Sequence, residues 1–118
     1  MEPGVSGRAV VLCTVGSAED AERIAGALVD RGLAACVNVV PGVTSFYRWK
    51  GEIARDSEWL LLMKTTAERF EALREALVDL HPYEVPEVIA LPIERGHNPY
   101  LEWIDECVAG SRQSSSRP

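Results

Sequence analysis

The sequence is short of several things, and each shortage closes a class of function. No window approaches the roughly 18 consecutive apolar residues that a membrane-spanning helix needs, so no membrane partner is expected. Lys and Arg number 12 against 18 Asp and Glu, a net charge of −6 that repels nucleic acid and anionic lipid surfaces alike. The basic and aromatic platform of an RNA-binding sheet is missing as well. Three cysteines are present without a C-x-x-C pair, which argues against a zinc ribbon or a metal-chaperone loop. No G-x-x-x-x-G-K-[ST] loop cradles a phosphate. No serine, cysteine and histidine grouping shows a third orienting partner at motif spacing, so the chain is not read as an enzyme. The stretch MEPGVSGRAV lacks a basic region followed by an apolar one. With no export signal in view, reduced thiols in a cytoplasm are the expected state.

What is present reads as one domain. Its 118 residues suffice for a single core, and 47% hydrophobic with 25% charged residues is ordinary for a globular chain. RAVVLCTV, from Arg8, is a β-branched apolar run and predicts a strand. Ser17 then offers an N-cap, Glu19 and Asp20 suit a helix start, and Ala21, Ile24, Ala25 and Leu28 form one apolar stripe ended by Gly32. Leu33 to Val40 predicts a second strand, bent at Pro41-Gly42 and resumed as VTSFYRW. Lys50-Gly51 is a hairpin turn into a third strand ending SEWLLLMK. Thr65 and Glu68 have capping-box spacing before the stripe Phe70, Leu73, Leu77, Leu80. VIALPI, Val88 to Ile93, is a fourth strand, and YLEWIDECV a short closing helix. Residues 1–7 are expected to be a flexible N-terminus, 8–108 the folded domain, and the tail GSRQSSSRP, within 109–118, disordered.

The order β-α-β-β-α-β plus a helix is the ferredoxin-like α+β arrangement, with strands two and four at the edges. Pro41 and Pro92 fall on those two strands, where a missing N–H is tolerated. Both long helices would cover one face of the sheet. Yet VVLC, AACVNVV, WLLLM and VIAL are apolar at odd and even positions alike, unlike a strand with one wet face. The second strand, 17 residues from Leu33 to Trp49, would span roughly 55 Å and overhang its own domain. Both features predict association with further copies of the chain.

LAACVN, TSFYRWKGE, LLLMKTT and HPYEVPEVIALPI occur in this order, and together they resemble the CutA divalent-cation tolerance family over about Val10 to Val108. The resemblance implies a homotrimer of ferredoxin-like subunits, similar in shape to PII signalling proteins, with sheets facing the threefold axis. It also implies a cytoplasmic protein that binds copper or another divalent cation and takes part in metal tolerance. A PII-like small-molecule sensor or an interaction scaffold using the cleft between subunits is the alternative.

Candidate site residues follow, each with two readings. Cys13 is a soft ligand suited to copper and, by the resemblance, part of the family's copper site; equally, free cysteine is a common core residue. His81, before Pro82, is a metal ligand or a helix-terminal imidazole bonded to the last carbonyls. In the family member whose copper site is described, the segment carries two adjacent histidines there, and Leu80 stands in place of the first. Glu84, Glu87 or a neighbouring subunit would then complete the coordination. Cys36 resembles a family cysteine, and packing explains it as well. Tyr47, Trp49, Lys64, Tyr83 and Glu87 form a second constellation, and by the resemblance residues matching several of these positions line the family's inter-subunit cleft. They could hold a small anionic or planar ligand, or simply form a polar rim at the subunit contact.

Overall fold

The computed structural model describes residues 6–109. The elements are β1 (Arg8–Val15), α1 (Ala18–Asp30), β2 (Cys36–Trp49), β3 (Glu52–Thr66), α2 (Phe70–Leu80), β4 (Ile89–Ile93) and α3 (Asn98–Val108). The strands form one antiparallel sheet in the order β2-β3-β1-β4, so the two proline-bearing strands are the edges, as the topology predicts. The fold is the ferredoxin-like α+β sandwich with an added helix. Of the flexible segments expected at 1–7 and 109–118, residues 1–5 and 110–118 lie outside the described residues.

Local chemistry accounts for the first helix. The Ser17 hydroxyl accepts from the Asp20 N–H, and Gly32, at φ 69°, takes the left-handed position beyond the C-cap. The N–H groups of Gly32 and Leu33 donate to the Val29 and Leu28 carbonyls, the two bonds of a Schellman ending. That ending uses Leu33, so β2 starts at Cys36 and runs 14 residues, shorter than the 17 expected. The capping box at Thr65 and Glu68 does not form. Thr65 is still in β3, where its buried hydroxyl donates to the Leu33 carbonyl. The N-cap of α2 is Arg69, which has no side-chain cap bond, and the Thr66 hydroxyl accepts from its N–H in the turn before the helix. Ile24 and Leu28 of α1, Leu73 and Leu77 of α2, and Val11, Cys13, Val15, Leu61 and Met63 of the sheet make the main core.

The other face is covered only in part. Ala35, Leu101, Ile104 and Val108 form a second small cluster beneath α3, which Arg8 fastens to the sheet through its ion pair with Asp105. Beyond α3, Ile89 and Leu91 remain about half exposed and Val40 more than a third. A register shift between Val40 and Val43 places the bulge at Pro41-Gly42, with Gly42 at φ 77°. Past it β1 ends, and Val43–Trp49 pairs only with Glu52–Glu58 as a free-standing ribbon, roughly 23 Å of overhang. Lys50 and Gly51, both at positive φ, turn it tightly. Phe46, Trp49 and Ile53 on that ribbon are at least 60% exposed.

Candidate functional site

Strand alternation puts Ser45, Tyr47 and Trp49 of β2 on one face of the ribbon. Asp56 and Glu58 of β3 share that face, because Ser45 is paired with Asp56 and Val43 with Glu58. The proline-rich segment between α2 and β4 folds over the base of this face. Between them lies a cavity of about 780 Å³ lined by Thr14, Ser45, Phe46, Tyr47, Trp49, Asp56, Glu58, Tyr83, Glu84, Val85 and Glu87. The volume suits a small organic molecule, a class whose sites span about 300–1,000 Å³. Four carboxylates line it and no Lys or Arg does.

Two tyrosine–carboxylate pairs organise the interior. The Tyr83 hydroxyl donates to Glu58 at 2.9 Å, and the Tyr47 hydroxyl donates to Asp56. Burial, and then the bond to Glu58, push the Tyr83 phenol up to about 12, so it keeps its proton. The bond to Asp56 also raises Tyr47 above the usual phenol value. Glu58 is only 6% exposed.

His81 anchors the segment. It follows α2 in extended conformation, as a residue before proline should. Its Nδ1 accepts from the Tyr83 N–H at 3.1 Å, and its Nε2 lies 2.8 Å from the Thr14 carbonyl. A carbonyl only accepts, so Nε2 carries the proton and the ring is neutral with both nitrogens engaged. Its ring also packs against Tyr83 at 4.6 Å between centroids. Gly16 completes the corner, because a Cβ there would stand 3.0 Å from the Tyr83 hydroxyl.

The predicted site residues divide into three groups. Tyr47, Trp49, Tyr83, Glu84 and Glu87 meet in the cavity. Cys13 and His81 do not present a metal site within one chain. Cys13 is fully buried in the main core, and burial, then Glu87 and Glu58, push its thiol up to about 12. A protonated thiol and an imidazole with no free lone pair are poor ligands. Among the described residues no group of three or more His, Cys, Asp or Glu side chains stands where it could hold a metal ion. Lys64 and Cys36 form the third group. They are cross-strand partners at the far end of β3, roughly 26 Å along the strand from Asp56, and Lys64 donates to Asn38. With Lys64 elsewhere, the cavity has no basic side chain on its lining to meet the small anionic ligand that was one of the sequence's readings. Asp56 and Glu58 escaped sequence reading, since RDSE looks like an exposed charged stretch. Their i, i+2 spacing opposite Ser45 and Val43 was the available signal.

Comparison with known proteins bears on the same segments. A model of the CutA1 divalent ion tolerance protein matches residues 9–107. The divalent-cation tolerance protein CutA of Thermus thermophilus is 58% identical over 97 residues, 82% of this chain and 94% of that protein. A CutA homolog of Xenopus laevis is 53% identical over 88 residues, 75% of this chain and 58% of its own length. The chain thus spans little more than half of that animal relative. The crystal structure of CutA1 from Oryza sativa superposes with a TM-score of 0.86 at 44% identity, covering 92% of this chain and 99% of that one.

Proposed function

Since this chain belongs to the CutA1 divalent ion tolerance family, we propose that it acts as a cytoplasmic homotrimer binding copper or another divalent cation. The reading places the cation at the carboxylates of the ribbon cleft and leaves Cys13 and His81 as structural residues. The observation that carries it is the lining itself, with Asp56, Glu58, Glu84 and Glu87 and no Lys or Arg. Carboxylate oxygens are suitable donors for divalent cations. One chain supplies no complete ligand set, so a neighbouring copy or water contributes the rest. Trimer formation is supported by the half-exposed Ile89 and Leu91, and by an overhanging apolar ribbon that invites pairing.

Isothermal titration of Cu(II) into wild type, Cys13→Ser and Glu84→Gln/Glu87→Gln tests the assignment. The expected result is unchanged affinity for the serine variant and at least about tenfold weaker binding for the double variant, the loss of ~1.4 kcal/mol. Wild-type affinity in the carboxylate variant, or its loss in Cys13→Ser, overturns it. Light scattering reads the assembly, and a stable 13.0 kDa species at micromolar concentration removes the trimer. The size of the cavity also favours a second reading, a small-molecule sensor of PII type.

A further inference from the structure

We propose that the ribbon cleft binds a small alkylated ammonium or similar organic cation, seated between the Tyr47 and Tyr83 rings against the Glu58 carboxylate. The inference rests on the sensor reading, to which it gives a ligand class, and it shares Glu58 with the metal reading. Its first support is Glu58. The side chain is 6% exposed and borders the cavity, yet it takes part in no ion pair among the described residues. A single hydroxyl, that of Tyr83, donates to it. Burying a carboxylate without a cation is costly, and the open side of this one faces the cavity.

The walls give the second support. Tyr47 and Tyr83 spend their hydroxyls on Asp56 and Glu58, so what they offer a ligand is ring surface. Trp49 and Phe46, also on the lining, already hold the cations of Lys50 and Arg55 at 5.5 and 5.7 Å from their centroids. These rings therefore sit where cation–π attraction operates, within about 6 Å. A strongly hydrated divalent ion gains little from aromatic faces. A methylated ammonium is bulky, weakly hydrated and attracted to rings and carboxylate together. The volume of about 780 Å³ is ample for such a molecule.

The test is calorimetric titration of the full chain with choline chloride and with its uncharged carbon isostere. Saturable choline binding is expected, with the isostere about tenfold weaker or worse. Glu58→Gln should weaken choline by about tenfold, and Tyr47→Leu by about fivefold. Tyr47 lies on the exposed ribbon outside the core, so its variant stays informative if Glu58→Gln fails to fold. Cu(II) is titrated into the wild type alongside: Cu(II) binding without choline binding overturns this inference alone, and choline binding without Cu(II) binding overturns the metal assignment alone. Equal binding of choline and isostere, no saturation by choline, or wild-type affinity in both variants overturns the proposal. So does a choline-silent wild type whose oligomeric mass drops in Tyr47→Leu, since the rings would then serve the subunit contact.

Discussion

The Tyr83 hydroxyl and the Glu58 carboxylate, 2.9 Å apart, join the segment after α2 to the third strand across 25 residues of chain. That bond decides whether the cavity exists, because the segment carrying Tyr83, Glu84 and Glu87 has no strand or helix of its own to hold it. The His81 ring also ties the segment to β1 through Nε2 and the Thr14 carbonyl, and Val88 packs on the main core.

Tyr83→Phe should therefore destabilise the protein by about 1.5 kcal/mol, the lower end for a hydrogen bond to a charged group, because Tyr83 is partly exposed. Urea unfolding reads the loss. Hydrogen exchange should quicken at the Tyr83 amide, which rests on His81 Nδ1.

Gly16→Ala should reproduce that loss through a different atom. Its Cβ would sit 3.0 Å from the Tyr83 hydroxyl and 3.9 Å from the ring carbon bearing it, forcing the side chain away from Glu58. In a Tyr83→Phe background the same change should cost much less. A double-mutant cycle in urea should return a coupling of about 0.5 kcal/mol or more. Strict additivity would mean that the ring does not move.

Two glycines of the first helix should respond with opposite signs. Gly32 sits at φ 69°, so Gly32→Ala should cost about 1 kcal/mol in the left-handed position. Gly26 is exposed in the helix interior with nothing within 4 Å of a Cβ, and Gly26→Ala should gain up to about 1 kcal/mol. Thermal melting of the two variants side by side checks both.

The Cys13 thiol should shape the alkaline limb of stability. Its value in the fold is raised from 9.0 to about 12, chiefly by burial, so the fold favours the protonated form. The contribution is complete below pH 9 and is lost as pH climbs toward 12, because the unfolded chain gives up its proton first. Stability should fall across that window, and less steeply in Cys13→Ala. The comparison isolates the thiol from Tyr83, whose phenol is also raised to about 12. At pH 8 a thiol reagent should label Cys36 and Cys107, which are half-buried, and spare Cys13.

Much of the scaffold was legible because its signals are local. Ser17 caps, Gly32 reverses the chain, Lys50-Gly51 turns and Pro41-Gly42 bulges, each acting through its own backbone and nearest neighbours. The misreadings are local contests lost to distant partners. Thr65 had the right spacing for a cap, but pairing with Ala9 and a bond to the Leu33 carbonyl kept it in the strand. Leu33 and Ala34 read as strand, but the helix ending and the core took them first, both N–H groups going to the Leu28 carbonyl.

The site was half legible. Tyr47 and Trp49 could be placed on one face by counting, and HPYEVPE announced a stiff, chemically rich corner. Lys64 was grouped with them although the ribbon's length separates them, and Asp56 and Glu58 passed as surface charge.

By itself the sequence determined the order of elements, the edge positions and the shortage of polar cover on the second face, since periodicity and turn chemistry act within a few residues. Only the tertiary structure decided that a buried carboxylate, two tyrosines and a proline corner share one cavity while the cysteine and histidine are locked away. Those relations depend on the register of a bulged ribbon and on burial by segments distant in the chain, and neither quantity is written in the residues that carry the chemistry.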